Sequence, residues 1–209
     1  MKLILGIGGS GKTSLGKFLG RSKGLVAYKS KLFFMKNKKD KIGSNYLGYL
    51  NNFYHLLIPI FRSELYLHFS YLYCMSLIYQ DIHSLSVSKK NSSIPHDCIQ
   101  ISVRSIRVYC FLKSMKADKE YILEIEKLFH RIGQIFEVGY VLKSDYNVHI
   151  SRITKRNRIL FIFDAPIMYG PQYEDIVFKA SLSIASIVCK EVRTIDTTDF
   201  EEAKKQILL

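Results

Sequence analysis

Gly6-Ile7-Gly8-Gly9-Ser10-Gly11-Lys12-Thr13 follows the apolar run Lys2-Leu3-Ile4-Leu5 and leads into Ser14 to Gly20, where Leu15, Phe18 and Leu19 share one side of a helix. The eight residues match GxxxxGK[ST] in full, in the strand–loop–helix setting that the pattern requires. Glycines let the backbone wrap a phosphate closely, because no Cβ intervenes. Successive N–H groups then form an anion nest, reinforced by the positive end of the helix. Lys12 places an ammonium on the β and γ phosphates of a nucleotide, the Thr13 hydroxyl ligates Mg²⁺, and Ser14 reaches the α phosphate. The loop therefore reads as a site for ATP and Mg²⁺ lined by Gly6, Gly8, Gly9, Ser10, Gly11, Lys12, Thr13 and Ser14. Many reactions share such a loop, so the chemistry must be read elsewhere.

Outward from this loop, strands and helices alternate. Apolar runs predict strands at 2–6, within 24–34, at 98–103, 136–142 and 192–195, with a further run at 159–163. Helical spacing predicts helices at 10–20, 63–82, 105–116, 119–133, 145–158, 173–190 and 199–208, with Asp118 as N-cap of the fourth. Residues 44–85 form a long aromatic helical insert, broken at Pro59. Ser86 to Asp97 reads as a polar linker. This pattern predicts a parallel α/β sheet with helices on both faces, in a single domain over 1–209.

The 209 residues suffice for one sizeable core, and an apolar share of 48 % is that of a globular chain. The net charge of +13 favours polyanionic ligands: phosphorylated small molecules or nucleic acid. Cysteines 74, 98, 110 and 189 show no metal-ligand spacing and predict a reducing, cytoplasmic setting. The run Leu3 to Ile7 is too short for a signal peptide. Ser44 to Phe61 carries three Asn, a His and a Pro, which argues against a membrane span.

The loop near residue 6, the chain length and the C-terminal third resemble the P-loop nucleoside and nucleotide kinases, thymidylate kinase in particular. The resemblance implies a three-layer P-loop NTPase fold with a small lid near 145–172. Gly139 to Asp145 followed by Asn147 to Arg158 is similar to the strand and arginine-bearing lid helix of that family. Arg152 and Arg156, four residues apart, share one face. Cations held against a moving phosphoryl group stabilise its transition state. Val192 to Asp199 with the helix after it is similar to the family's last strand, loop and helix, which implies that Thr197 and Thr198 line the base pocket. By local spacing, Thr198 or Asp199 is equally a helix N-cap.

The middle of the chain departs from that family. Thymidylate kinases carry an Asp-Arg pair after the third strand; Cys98 to Ser105 supplies Arg104, which would hold the acceptor, but no preceding carboxylate. Tyr28-Lys29-Ser30 stands where an acidic residue follows the second strand. Ile159 to Phe163 ends in Asp164, a Walker B-like pattern that makes Asp164 the candidate magnesium carboxylate. Arg62, Glu64, His68 and Tyr71 are at helical spacing and would either contact a base or sugar or pack within a helical layer. The expectation is ATP- and Mg²⁺-dependent phosphoryl transfer to a small acceptor, a nucleoside monophosphate first, with a homodimer as the assembly the family suggests. The alternatives are a P-loop NTPase or nucleotide-dependent switch acting on nucleic acid or a protein partner, and a degenerate kinase fold that binds nucleotide without turnover.

Overall fold

Leu3 and Leu5 enter one apolar cluster and Ile4 another, so strand β1 (Lys2–Gly6) is covered on both faces. A short, almost wholly apolar strand needs that environment. The computed structural model describes residues 1–29, 64–90, 98–155 and 170–209. Within them β1 is followed by α1 (Lys12–Lys23), β2 (Val26–Lys29), α2 (Glu64–Lys90), β3 (Cys98–Ile101), α3 (Arg104–Ser114) and α4 (Lys119–Ile132). Then come β4 (Phe136–Lys143), α5 (Tyr146–Thr154), α6 (Pro171–Val188), β5 (Cys189–Asp196) and α7 (Phe200–Leu208).

The five strands form one parallel sheet in the order β2-β3-β1-β4-β5. On one face α1 and α7 bring Leu15, Leu19, Ala203 and Ile207 against Ile4, Ile99, Ile101 and Leu142. Gly16 lets α1 close on the sheet, since a Cβ there would stand 2.4 Å from Ile101 Cδ1. On the other face α2, α3, α4 and α6 bury Tyr66, Leu77, Phe111, Ile125 and Ile184 over Leu3, Leu5 and Val141. The expected three layers are present. Because β1 is the central strand, the loop that follows it opens at the carboxyl edge of the sheet, between the ends of β3 and β4. Parallel sheets collect their ligands at that edge.

Several boundaries differ from the sequence expectation. Helix α2 continues to Lys90, into the stretch expected to be a linker. Ser86 to Lys90 contains no Gly or Pro, and propensity alone does not stop a helix at serine and lysine. Strand β3 ends at Ile101 rather than Val103. Ser102 turns to φ 56, with its N–H donating to the Ile4 carbonyl at 3.1 Å. Helix α6 starts at Pro171, two residues early, with proline at the position where its missing N–H costs least. Strand β5 is eight residues long, paired with β4 from Phe136↔Cys189 to Lys143↔Asp196. Helix α5 ends at Thr154, with Lys155 as its C-cap. The expected helix over 44–63, Arg62, Arg156, the run at 159–163 and Asp164 lie outside the described residues.

Among the described residues no helix is long and apolar enough to cross a membrane. The four cysteines are buried and free.

Candidate functional site

Helix α1 begins without a side-chain cap. Its N-cap is Gly11, at φ 82, and its first turn has no acidic residue. Three other helices are capped by aspartate: Asp118 accepts from Glu120 N–H, Asp145 from Asn147 N–H, and Asp199 from both Glu201 and Glu202 N–H. The chain thus supplies caps readily elsewhere and none here. The first bond of α1 runs from Leu15 N–H to the Gly11 carbonyl at 2.9 Å. Amides earlier in the first turn have no carbonyl one turn back, and these are the groups an anion meets.

The loop itself is shaped by glycine. Gly9 (φ 85) and Gly11 (φ 82) take left-handed conformations that residues with side chains seldom adopt. Lys12 bends over the loop and donates its Nζ to the carbonyls of Gly6 (2.6 Å) and Ile7. Its ammonium is therefore already held at the mouth of the turn, where a phosphate oxygen would replace those carbonyls. Ser10 Oγ is fully buried and has no hydrogen-bond partner among the described residues. A buried hydroxyl without a partner inside a glycine-lined turn is a donor that a bound anion could satisfy if the turn opened to it. Thr13 is half-buried and Ser14 exposed. The residues present therefore suit a triphosphate with its metal.

The loop has walls from two directions. A Cβ on Gly9 would stand 3.0 Å from Ile153 Cγ1 and 3.2 Å from the His149 carbonyl, so α5 lies directly on it. A Cβ on Gly11 would stand 3.4 Å from the Phe200 ring, so α7 flanks the other side. Lys204 lies 5.3 Å from the Phe200 ring centroid and 5.6 Å from that of Phe18. Phe200 was not among the expected site residues; an aromatic two residues past a Thr-Thr pair, at the start of a helix, is the signal that could have found it.

Of the two expected lid arginines, Arg152 is described, and it meets the C-terminal loop. Arg152 Nη2 donates to the Thr197 carbonyl at 2.7 Å and to that of Thr198 at 3.4 Å. Asp145 N–H donates to Thr198 Oγ1 at 2.8 Å. Thr197 is fully buried, and its hydroxyl donates to the Lys143 carbonyl at 3.0 Å. Both threonine hydroxyls therefore hold the loop in place, and Asp199 is the helix cap.

At the end of β3, α3 also starts without a side-chain cap, at Val103. Arg104 in its first turn donates to the Tyr73 hydroxyl at 3.3 Å. No carboxylate precedes Arg104 on β3, but one from α2 lies beside the start of α3: Ser105 Oγ donates to Asp81 Oδ2 at 2.9 Å. Asp81 is buried, its Oδ1 has no partner among the described residues, and desolvation pushes its pKa up to about 7 despite the opposing serine bond. Sequence reasoning missed it, although the one carboxylate beyond the first turn of a mostly apolar helix is a usable signal. A cavity opens under the loop, lined by Gly6, Ile7, Ser102, Arg107, Cys110 and Ser181. Arg107, three residues after Arg104 on α3, was also missed. Burial pushes the Cys110 thiol up to about 11, so it is an inert neutral wall.

The aromatic residues of α2 do not line this cavity. His68 Nδ1 pairs with the Tyr121 hydroxyl at 2.8 Å, and Tyr71 stacks on Tyr121 at 4.2 Å while bonding Glu124. They join α2 to α4, which is the packing alternative of the sequence reading.

No family model and no curated protein matches the chain. Solved structures with the same fold are found. Deoxyadenosine kinase from M. mycoides with products dCMP and dCDP bound superposes with a TM-score of 0.55 at 14 % identity, over 100 % of this chain and 97 % of that one. The same enzyme with bound dATP gives 0.53 at 15 % identity, over 100 % and 97 %. Thymidylate kinase from Candida albicans gives 0.52 at 14 % identity, over 99 % and 88 %. At such identities the likeness is one of fold: the described residues have the architecture of these kinases.

Proposed function

We propose, from an architecture shared with deoxyadenosine and thymidylate kinases, that this protein transfers a phosphoryl group from ATP to a small nucleoside-type acceptor, a nucleoside monophosphate first. The observation that carries this reading is the uncapped, glycine-lined turn with Lys12 held across its mouth. ATP with Mg²⁺ supplies the transferable group. The amides of the α1 N-terminus hold the phosphates, Lys12 neutralises the β and γ oxygens, and Thr13 offers its hydroxyl to the metal. Asp164 is the carboxylate assigned to the metal's water shell. Phe200 supplies an apolar wall for a nucleobase beside the loop.

Arg152 and Arg156 are the lid cations of this reading. A guanidinium has five donors, so the tether of Arg152 Nη2 to Thr197 and Thr198 is compatible with a second contact to the moving group. Arg104 and Arg107 on α3 are the cations on the acceptor side, where the cavity opens beneath Gly6 and Ile7. No covalent intermediate is required; positioning and electrostatics lower the barrier.

The test is a panel measuring ATP consumption with each deoxynucleoside and each monophosphate as acceptor, and with DNA and RNA. ATP loss matched by phosphorylation of one small acceptor supports the reading. Hydrolysis stimulated by DNA or RNA, with every small acceptor inert, overturns it in favour of a nucleic-acid ATPase, whose binding would be steeply salt-dependent.

A further inference from the structure

His149 and Glu174 make a buried polar contact that the kinase reading does not use. His149, on α5, is fully buried; Glu174, in the first turn of α6, is 5 % exposed. Nδ1 of the histidine lies 2.6 Å from Oε1 of the glutamate, within ion-pair range but not aligned as a hydrogen bond. Among the described residues His149 Nε2 and Glu174 Oε2 have no hydrogen-bond partner. Removing such groups from water is costly, and two apolar side chains would fill the same space more cheaply. Their use here points to geometry rather than to raw stability.

The geometry places the contact one step from the phosphate loop. The backbone carbonyl of His149 itself and the side chain of Ile153, one turn on, are what a Cβ on Gly9 would strike. The same helix turn is thus wedged between Gly9 on one side and Glu174 on the other. The remaining attachments of α5 run to the C-terminal loop, through Arg152 to Thr197 and Thr198 and through Asp145 N–H to Thr198. The His149–Glu174 contact ties α5 to α6 by buried polar groups.

We infer that His149 and Glu174 are positioning residues: together they fix the tilt of α5 against Gly9, and so set where Arg152 of that helix stands beside the glycine-lined loop. The part about Arg152 rests on the kinase reading; the seating of α5 on the loop does not. If the contact is lost, α5 rocks on Gly9, the loop loosens, and the transition state loses a correctly placed cation while ground-state nucleotide binding is largely kept.

Two measurements on the full chain test this. Backbone hydrogen exchange compares wild type with Glu174→Ala, His149→Ala and the conservative Glu174→Gln. The expected result is faster exchange, by about fivefold or more, confined to peptides covering 6–14 and 146–154 in both alanine variants, with α4 unchanged and with near-wild-type exchange in Glu174→Gln. Unchanged exchange in those peptides, or faster exchange spread evenly over α3, α4 and α6, overturns the inference; the second result shows a merely structural contact. With the best acceptor, kcat should fall about tenfold in either alanine variant and no further in the double variant, with KM for ATP within about twofold. Additive losses, or a loss in KM alone, overturn it. Wild type inert with every acceptor would defeat the kinase reading, while the exchange experiment still decides the seating of α5.

Discussion

Asp81 shows how much a single residue can depend on distant neighbours. It lies 24 residues before Ser105 in the sequence, yet its carboxylate accepts that hydroxyl's hydrogen bond beside Arg104. Burial raises its pKa from 3.8 to about 7. Between those values the folded chain keeps a proton that the unfolded chain has released. Stability contributed by this group is therefore present at low pH, falls as pH rises from about 4 to about 7, and is flat above. Asp81→Asn removes the dependence. The unfolding free energy of the wild type, from denaturant titrations, should fall relative to that of Asp81→Asn across pH 4.5 to 7.5, with a slope of at most about 1.4 kcal/mol per pH unit. Parallel curves would show that the carboxyl titrates normally. At this scale the glycine-lined turn between β1 and α1 was legible, because the glycines and Lys12 stand at a fixed spacing. The places of Asp81, Arg107 and Phe200 were not, because they come from helices that pack together only in the folded chain.

Among the elements, caps and periodicity were legible and turns were not. Asp118 was read as an N-cap from its place before an amphipathic run, and its Oδ1 accepts from Glu120 N–H at 2.8 Å. Asp118→Ala should lower stability by about 1 kcal/mol, read as a shift in denaturant midpoint, without changing ATP affinity. A large change in affinity would mean that α4 communicates with the loop, which the packing of α4 against α2, α3 and α6 gives no reason to expect. The early end of β3 was not legible. Nothing in Cys98 to Arg104 announces a left-handed serine, and only the bond from Ser102 N–H to Ile4 makes that conformation worth holding. The end of α2 was misread for the opposite reason: polar composition was taken for a linker, although no residue from 86 to 90 breaks a helix.

For the whole molecule, the alternation of strand and helix was enough to give a parallel sheet with helices on both faces, but not its strand order. Placing β1 between β3 and β4 requires long-range pairing that periodicity does not encode. That order is what puts the glycine-lined loop, the uncapped start of α3 and helix α5 with Arg152 at one edge of the sheet. The net charge of +13 fits a phosphate-rich ligand without selecting one. The most direct test of the account is ATP affinity of Lys12→Ala beside wild type, by calorimetry, with the melting temperature of both chains recorded. Lys12 spans the mouth of the loop on the carbonyls of Gly6 and Ile7, so the account predicts a folded variant whose ATP affinity drops at least about tenfold, the worth of one charge-assisted hydrogen bond. A folded variant that binds ATP as tightly as wild type would contradict it.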